Sequence, residues 1–128
     1  MRLLLDTPVA LWAITNDSRL NQAVRDRILE PKNTIFFSAV SVWEISIKHA
    51  LGRQWMPFSG PEALHWFRVS GYEELAITAD HTAAVQALPA IHSDPFDRIL
   101  IAQALHEPLR LITADRTLAA YSDSVIVF

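Results

Sequence analysis

Short apolar runs alternate along the chain with longer stretches in which apolar residues recur every three or four positions. The short runs predict five strands, at residues 3–5, 34–37, 75–78, 109–113 and 125–128. The periodic stretches predict helices at residues 8–14, 19–29, 41–51, 61–69, 79–88, 97–105 and 117–121. This alternation is typical of an α/β fold with a central parallel sheet flanked by helices on both faces. In such sheets ligands bind beyond the carboxyl ends of the strands, so residues that follow the strands are the candidates for a site.

Polar residues mark the starts of two helices. Thr7 is predicted to cap the first helix, with Pro8 at its first position. Ser41 is predicted to open the third helix, and Glu44 three residues later completes the pattern of a capping box. Glu44 is also spaced to pair with Lys48 one turn further along.

The composition fits one folded domain over residues 1–128. Apolar residues make up 51% of the chain and charged residues 20%, which excludes intrinsic disorder. Because there is no cysteine, disulfides, thiolate zinc sites and cysteine nucleophiles are all excluded. The net charge of −3 excludes a protein that coats nucleic acid by charge alone.

The sequence gives no sign of membrane insertion or export. No apolar run reaches the roughly 18 residues of a membrane span. Asp6 interrupts the apolar N-terminal stretch at the point where a signal peptide would continue. We therefore expect a cytoplasmic protein.

Four acidic residues stand where a predicted strand gives way to a helix. Asp6 and Asp115 follow strands, while Glu44 and Asp97 lie in the first turns of helices. A parallel sheet would bring them to one edge, where four carboxylates repel one another unless a cation neutralises them. Oxygen ligands without cysteine indicate Mg²⁺ or Mn²⁺. Asp97 also falls on the apolar side of its helix, which is typical of a site or of a buried ion pair.

Each acid also has a purely structural interpretation. Glu44 fits a capping box, Asp115 fits a cap for the short helix after it, and Asp97 complements a helix dipole. Asp94, which precedes Pro95, is a natural N-cap. Taken together, the four junction acids favour a site over four separate structural roles.

Several segments resemble the PIN-domain ribonucleases, and more narrowly the VapC-type toxins of bacterial toxin–antitoxin pairs. They are residues 3–7 (LLLDT), 41–45 (SVWEI), 92–104 (HSDPFDRILIAQA) and 111–116 (LITADR), in family order along the whole chain. The resemblance implies a single PIN-like domain and metal-dependent endonucleolytic cleavage of RNA. It also implies a homodimer and a cognate antitoxin that inhibits the site.

The resemblance assigns roles to individual positions. Asp6, Glu44, Asp97 and Asp115 match the family's acidic quartet. Thr113 matches a hydroxyl residue that often accompanies the last acid, and Asp94 matches an acid that is common in this branch. We take Asp6 and Asp97 as the first metal ligands, with Glu44 and Asp115 completing the site. Pro8 departs from the pattern, because this branch often has His there, and it removes a polar group near the site entrance.

Two arginines and two histidines lie near these motifs. Arg98 and Arg116 each adjoin a site acid and fit either a structural ion pair or a phosphate contact. His49 and His92 are interpreted as surface or hydrogen-bonding residues, and neither is placed as a general base.

Aromatic residues crowd residues 43–67. Trp43 is expected on a core-facing side with Ile47, Ala50 and Leu51. Trp55 and Phe58 lie in a predicted loop and either fold back on the core or form an exposed patch, which usually marks an interface. We expect an antitoxin to bind through this region.

Two functions of other classes compete with the nuclease. Asp6 as a nucleophile would make an aspartate-based phosphotransfer protein, but Pro8 stands where a phosphatase of that kind has a second acid. A non-catalytic interaction module on the same fold is the other alternative, although all four acids are present.

Overall fold

A computed structural model, which describes residues 1–128, contains one sheet of five parallel strands. The strands are β1 (Arg2–Leu5), β2 (Thr34–Ser38), β3 (Glu73–Leu75), β4 (Arg110–Thr113) and β5 (Ile126–Val127). They lie in the order β3-β2-β1-β4-β5, and central Leu4 is in register with Phe36 and Leu111 on its two sides. The predicted parallel α/β fold is therefore confirmed.

The helices are α1 (Thr7–Thr15), α2 (Gln22–Leu29), α3 (Ala39–Ala50), α4 (Gly60–Val69), α5 (Ala79–Ala84) and α6 (Pro95–His106). Two 3-10 helices follow α5 and β4, at Val85–Ala87 and Arg116–Tyr121. None of the α-helices combines the length and the continuous apolar surface needed to cross a bilayer.

Each face of the sheet has its own buried core. Along β1, Leu3 and Leu5 pack into the core that contains residues of α1, α2, α3 and α4, whereas Leu4 packs on the opposite face with residues of α6. Successive side chains of a strand point to opposite faces, so an unbroken apolar run is required where both faces are covered. This explains why β1 reads as Leu-Leu-Leu.

The starts of α1 and α3 differ from the sequence prediction. Asp6, not Thr7, caps α1, since Asp6 Oδ1 accepts the Val9 N–H at 2.9 Å. Ser38, not Ser41, caps α3, because β2 runs one residue further than predicted and the helix follows without a loop. Ser41 is instead buried and accepts a hydrogen bond from the Thr7 hydroxyl at 2.8 Å. The predicted capping box at Glu44 was wrong, and Glu44 lies in the second turn of α3.

Two further expectations were wrong in detail. The third strand ends at Leu75, because Thr78 caps α5 instead of continuing the strand. Trp43 is 54% exposed instead of core-facing, because Val40 and Ile45 are the residues of α3 that turn to the core. Trp43 packs edge-on against Phe96, with ring centroids 5.3 Å apart.

Candidate active site

The site lies where the order of the sheet changes direction. After β1 the chain adds β2 and β3 on one side, then returns to add β4 and β5 on the other. In open parallel sheets such a switch point leaves a crevice at the carboxyl ends of the strands. Asp6 follows β1 and Asp115 follows β4, so both lie beside this crevice.

Asp6 is the most deeply buried acid of the group, at 3% exposure. Oδ1 accepts the Val9 N–H, and Oδ2 accepts the Thr113 hydroxyl at 2.6 Å. Burial raises the pKa of Asp6 to about 7, and repulsion from Asp97 and Glu44 adds to the shift, whereas the two hydrogen bonds oppose it. The Asp6 carboxyl is therefore held in place in a setting that disfavours its own charge.

Asp97 lies in the first turn of α6, whose cap is Asp94 as predicted. Asp94 Oδ1 accepts the Phe96 N–H at 2.8 Å, which starts the helix and points Asp97 toward the crevice. Burial raises the pKa of Asp97 to about 6; Asp94 adds repulsion, as do Glu44 and Asp115 more weakly, and His92 opposes the shift. Asp97 thus interacts electrostatically with each of the other three junction acids.

Glu44 reaches the site from α3 and is 7% exposed. Its Oε2 accepts a hydrogen bond from Lys48, which confirms the predicted pair one helical turn apart. The Lys48 ammonium also lies over the Trp55 ring, 5.1 Å from its centroid, and 5.9 Å from that of Phe96. Lys48 therefore brings a cation to an otherwise acidic cluster.

Asp115 is the most accessible of the four acids, with 40% of its side chain exposed. It caps the second 3-10 helix as predicted, since Oδ1 accepts the Thr117 N–H at 3.0 Å and the Thr117 hydroxyl at 2.7 Å. Burial pushes the pKa of Asp115 upward, but hydrogen bonds from Thr117 and His92 outweigh it and hold the pKa below its usual range.

His92 also belongs to the site, although the sequence analysis did not place it there. Its Nε2 lies 3.0 Å from Asp115 Oδ2 and 3.6 Å from Asp97 Oδ2. Of the two expected roles, surface residue or hydrogen-bonding residue, His92 therefore has the second. Its partners Asp97 and Asp115 lie 5 and 23 positions away along the chain. The only local signal is Asp94, whose N–H donates to His92 Nδ1.

The two arginines beside the acids differ in their surroundings. The Arg98 guanidinium donates to the carbonyl groups of Pro89, in the loop before α6, and Val85, in the first 3-10 helix, so it braces this segment and forms no ion pair with the acids. Arg116 is exposed at the start of the second 3-10 helix and makes no ion pair or side-chain hydrogen bond. Of the two, Arg116 has the free guanidinium.

An open groove leads from Glu44 along α1 and α3. Its volume is about 580 Å³, and its lining includes Pro8, Leu11, Trp12, Lys48 and Trp55. We call it the α1–α3 groove. Pro8 therefore presents an apolar surface in a groove that reaches Glu44.

A second group of potential metal ligands lies at the C-terminal end of α6 and consists of His81, His106 and Glu107. Hydrogen bonds already occupy both ring nitrogens of His81. His81 Nδ1 accepts the Thr78 N–H at 3.0 Å, which places the ring proton of neutral His81 on Nε2. That nitrogen lies 2.7 Å from Glu107 Oε2 and donates to it. The group is a capping and pairing network, with no lone pair of His81 left for a metal.

The donor chemistry at the crevice fits a hard divalent cation. Every converging ligand atom of the four acids is a carboxylate oxygen, the preference of Mg²⁺ and Mn²⁺. Burial is the main cause of the raised pKa values of Asp6 and Asp97, and repulsion from neighbouring acids adds to it; a bound cation would offset both.

Known proteins share both the sequence pattern and the fold. The family model of the PIN domain matches residues 3–123. Ribonuclease VapC22 of Mycobacterium tuberculosis is 30% identical over 122 residues, covering 93% of this chain and 91% of that protein. A chain of the Rickettsia felis VapBC2 structure, bound to a promoter DNA fragment, has a TM-score of 0.71 at 16% identity, covering 100% of this chain and 98% of that one. A DNA-bound VapBC structure from Salmonella typhimurium has a TM-score of 0.70 at 15% identity, covering 100% and 97%. These two likenesses show the fold.

Proposed function

The chain belongs to the PIN domain family, and from this premise we propose that it is an endoribonuclease that acts as the toxin of a toxin–antitoxin pair. One observation carries the proposal: beside the switch point of the sheet, Asp97 interacts electrostatically with Asp6, Glu44 and Asp115. The activity is the one named for the Mycobacterium tuberculosis relative. The single domain proposed for this activity comprises residues 1–128.

We propose Mg²⁺ or Mn²⁺ as the cofactor, with Asp6 and Asp97 as the first ligands and Glu44 and Asp115 completing the site. The support is electrostatic, since Asp6 and Asp97 have raised pKa values and a positive charge beside them would lower these values and favour the ionised carboxylates. When bound, such a cation attracts the phosphodiester and lowers the pKa of a coordinated water.

The remaining residues of the site would hold and orient the reacting groups. Thr113 donates a hydrogen bond to Asp6 Oδ2 and so fixes the orientation of the Asp6 carboxylate. Arg116, exposed beside Asp115, would contact a phosphate of the bound RNA, where a planar guanidinium can form two parallel hydrogen bonds. Lys48 would supply a second cation on the opposite side, next to Glu44.

The deciding experiment is an RNA cleavage assay with Mg²⁺ or Mn²⁺. Asp97→Asn should abolish cleavage while leaving the fold intact, because the amide keeps the volume of the side chain and removes the charged ligand. Asp123→Asn, at an exposed aspartate outside the cluster, is the matched control and should cleave like the wild type. Equal cleavage by both variants would show that the acidic cluster is not the active site, and EDTA should inhibit the wild type if the metal assignment holds.

Nothing in the site favours the phosphotransfer alternative. The Asp6 side chain is 3% exposed, so it lacks the room that a covalently attached phosphoryl group would need, and Pro8 stands where a phosphatase of that kind has a second acid. Acylphosphate formation at Asp6 would reverse this conclusion.

We further propose that the antitoxin covers the exposed aromatic surface around the α1–α3 groove. Trp55 is 60% exposed and lines the groove, whereas Phe58 packs partly against the core. Trp55→Ser should therefore weaken co-purification with the co-expressed antitoxin without unfolding the chain. Trp66→Ser, at an exposed tryptophan of α4 that does not line the groove, is the control. Unchanged binding by Trp55→Ser would place the partner surface elsewhere.

We also propose a homodimer, on the strength of the family resemblance. Sedimentation equilibrium of the purified chain should give twice the monomer mass of 14.4 kDa. A single species at the monomer mass would refute it.

A further inference from the structure

His92 connects two of the four acids without belonging to the strands or helices that carry them. It lies in the loop between the first 3-10 helix and α6, with 20% of its side chain exposed. Its Nε2 is 3.0 Å from Asp115 Oδ2 and 3.6 Å from Asp97 Oδ2. The imidazole therefore fills the space between a carboxylate that follows β4 and one that begins α6.

The backbone fixes which ring nitrogen carries the proton. The Asp94 N–H donates to His92 Nδ1 at 3.0 Å, so Nδ1 must present a lone pair. In the neutral imidazole the proton then lies on Nε2, and Nε2 donates to Asp115. In this state His92 offers neither a lone pair to a metal nor a basic nitrogen to a water at the crevice.

The loop around His92 is braced on two sides. The His92 N–H donates to the Tyr121 hydroxyl at 2.8 Å, which ties the loop to the second 3-10 helix. Arg98 Nη1 lies 3.0 Å from the Pro89 carbonyl and 3.4 Å from the His92 carbonyl. Because the backbone is held at both ends, the ring cannot easily leave Asp115.

Asp115 depends on this contact more than the other acids do. Its Oδ1 is fixed by Thr117, but Oδ2 has His92 as its only protein partner, and 40% of the side chain is exposed. Without the imidazole, Oδ2 would have no protein partner and would be restrained only indirectly, through the hydrogen bonds that Thr117 donates to Oδ1. A ligand that must be ordered on binding costs affinity.

We propose that His92 is a positioning residue, whose Nε2–H orients the Asp115 carboxylate for the divalent cation. This inference rests on the proposed metal-dependent function. It adds a residue that acts through Asp115 and touches neither metal nor substrate, and it assigns Tyr121 and Arg98 to the support of His92. Outer partners that orient metal ligands typically change metal affinity by about 10–100-fold when removed.

Two substitutions distinguish the roles of the two ring nitrogens of His92. His92→Asn keeps an acceptor where Nδ1 lies and removes the donor to Asp115. His92→Gln keeps an amide N–H where Nε2 lies. We expect the Asn variant to bind Mn²⁺ about 10–100-fold more weakly than the wild type and the Gln variant to retain most of the affinity. The measurement is Mn²⁺ titration followed by electron paramagnetic resonance, without RNA, and His65→Asn at an exposed histidine is the control.

The outcomes are distinguishable. Unaltered Mn²⁺ affinity of the Asn variant overturns the positioning role, and an equal loss in the Asn and Gln variants makes His92 a direct ligand instead. If the wild type binds no Mn²⁺, the proposed metal-dependent function fails and the inference fails with it. Thermal unfolding in EDTA shows whether either variant is folded. If His92→Asn does not fold, Tyr121→Phe, which removes only the hydroxyl that accepts the His92 N–H, should weaken Mn²⁺ binding, and unchanged affinity there would contradict the proposal.

Discussion

Asp6 combines nearly complete burial with a carboxyl group that its neighbours repel. Because burial raises the pKa of Asp6 from 3.8 to about 7, the folded protein holds this proton more tightly than the unfolded chain does. A group of this kind stabilises the fold while it is protonated, so stability falls as the pH rises between those two values. Asp97, with a pKa raised to about 6, acts in the same direction.

We therefore predict that Asp6→Asn stabilises the metal-free protein at high pH. Without metal, the variant should resist urea better than the wild type near pH 8, where Asp6 is ionised, and show little advantage near pH 5, where Asp6 is already neutral. Urea unfolding in EDTA at the two pH values measures this, with Asp123→Asn as the control. An equal effect at both pH values would mean that charge at Asp6 is not the cause.

Thr113 is the residue through which two acids are connected. Its fully buried hydroxyl donates to Asp6 Oδ2 and accepts the Asp115 N–H at 3.0 Å. Thr113→Val keeps the shape but removes both bonds and should cost about 1–3 kcal/mol in the free energy of unfolding. Thr113→Ser keeps the hydroxyl and should cost less. If Thr113→Val costs little while Thr113→Ser is destabilised, methyl packing and not the hydrogen bonds determines stability at this position.

At the scale of elements, the site is assembled from the starts of helices. Asp6 caps α1, Asp94 caps α6, and Asp115 caps the second 3-10 helix. The structural and chemical interpretations of these acids are therefore compatible, since a cap must stand at the N-terminus of a helix, and in this fold that end faces the crevice. Carboxylates also interact favourably with the positive end of a helix dipole.

The cap of α3 has a second task, which leads to a prediction for that element. Ser38 Oγ accepts the Val40 N–H and donates to Gln103 Oε1 at 2.6 Å, so it joins the end of β2 to α6. Ser38→Ala should lower the free energy of unfolding by about 1–3 kcal/mol, because a cap is lost and a buried amide oxygen loses its donor. Urea denaturation measures the loss, and Ser18→Ala at an exposed turn position should have almost none. A negligible loss for Ser38→Ala would mean that Gln103 finds another donor.

For the whole molecule, a divalent metal should act as a stabilising ligand. Mg²⁺ or Mn²⁺ at about a hundred times its dissociation constant should add about 2.7 kcal/mol and raise the melting temperature. The shift should be larger above pH 7 than below pH 6, because metal must displace the protons that Asp6 and Asp97 hold at low pH. Differential scanning calorimetry measures the shift. The Asp6→Asn/Asp97→Asn variant should lose it, and an undiminished shift there would place the metal elsewhere.

The sequence by itself determined the fold class and the approximate position of most elements. The chain alternates apolar runs of three to five residues with periodic stretches of helix length. This alternation is compatible with few arrangements other than a parallel sheet with helices on both faces. The junction acids could be found for the same reason, since Asp6 and Asp115 come within two residues after strands whose carboxyl ends lie at one edge of the sheet. Both features are local in the chain, which is why reading along it was sufficient.

Only the tertiary structure decided which face of α3 is buried and which side chains join the acids. The apolar residues of α3 spread over more than one side, so periodicity permitted Trp43 to face the core, and packing against the sheet selected Val40 and Ile45 instead. His92 meets Asp115 across 23 positions of sequence, and Thr113 meets Asp6 across 107. Such contacts arise when separate elements pack together, and the spacing of residues along a chain carries no record of them.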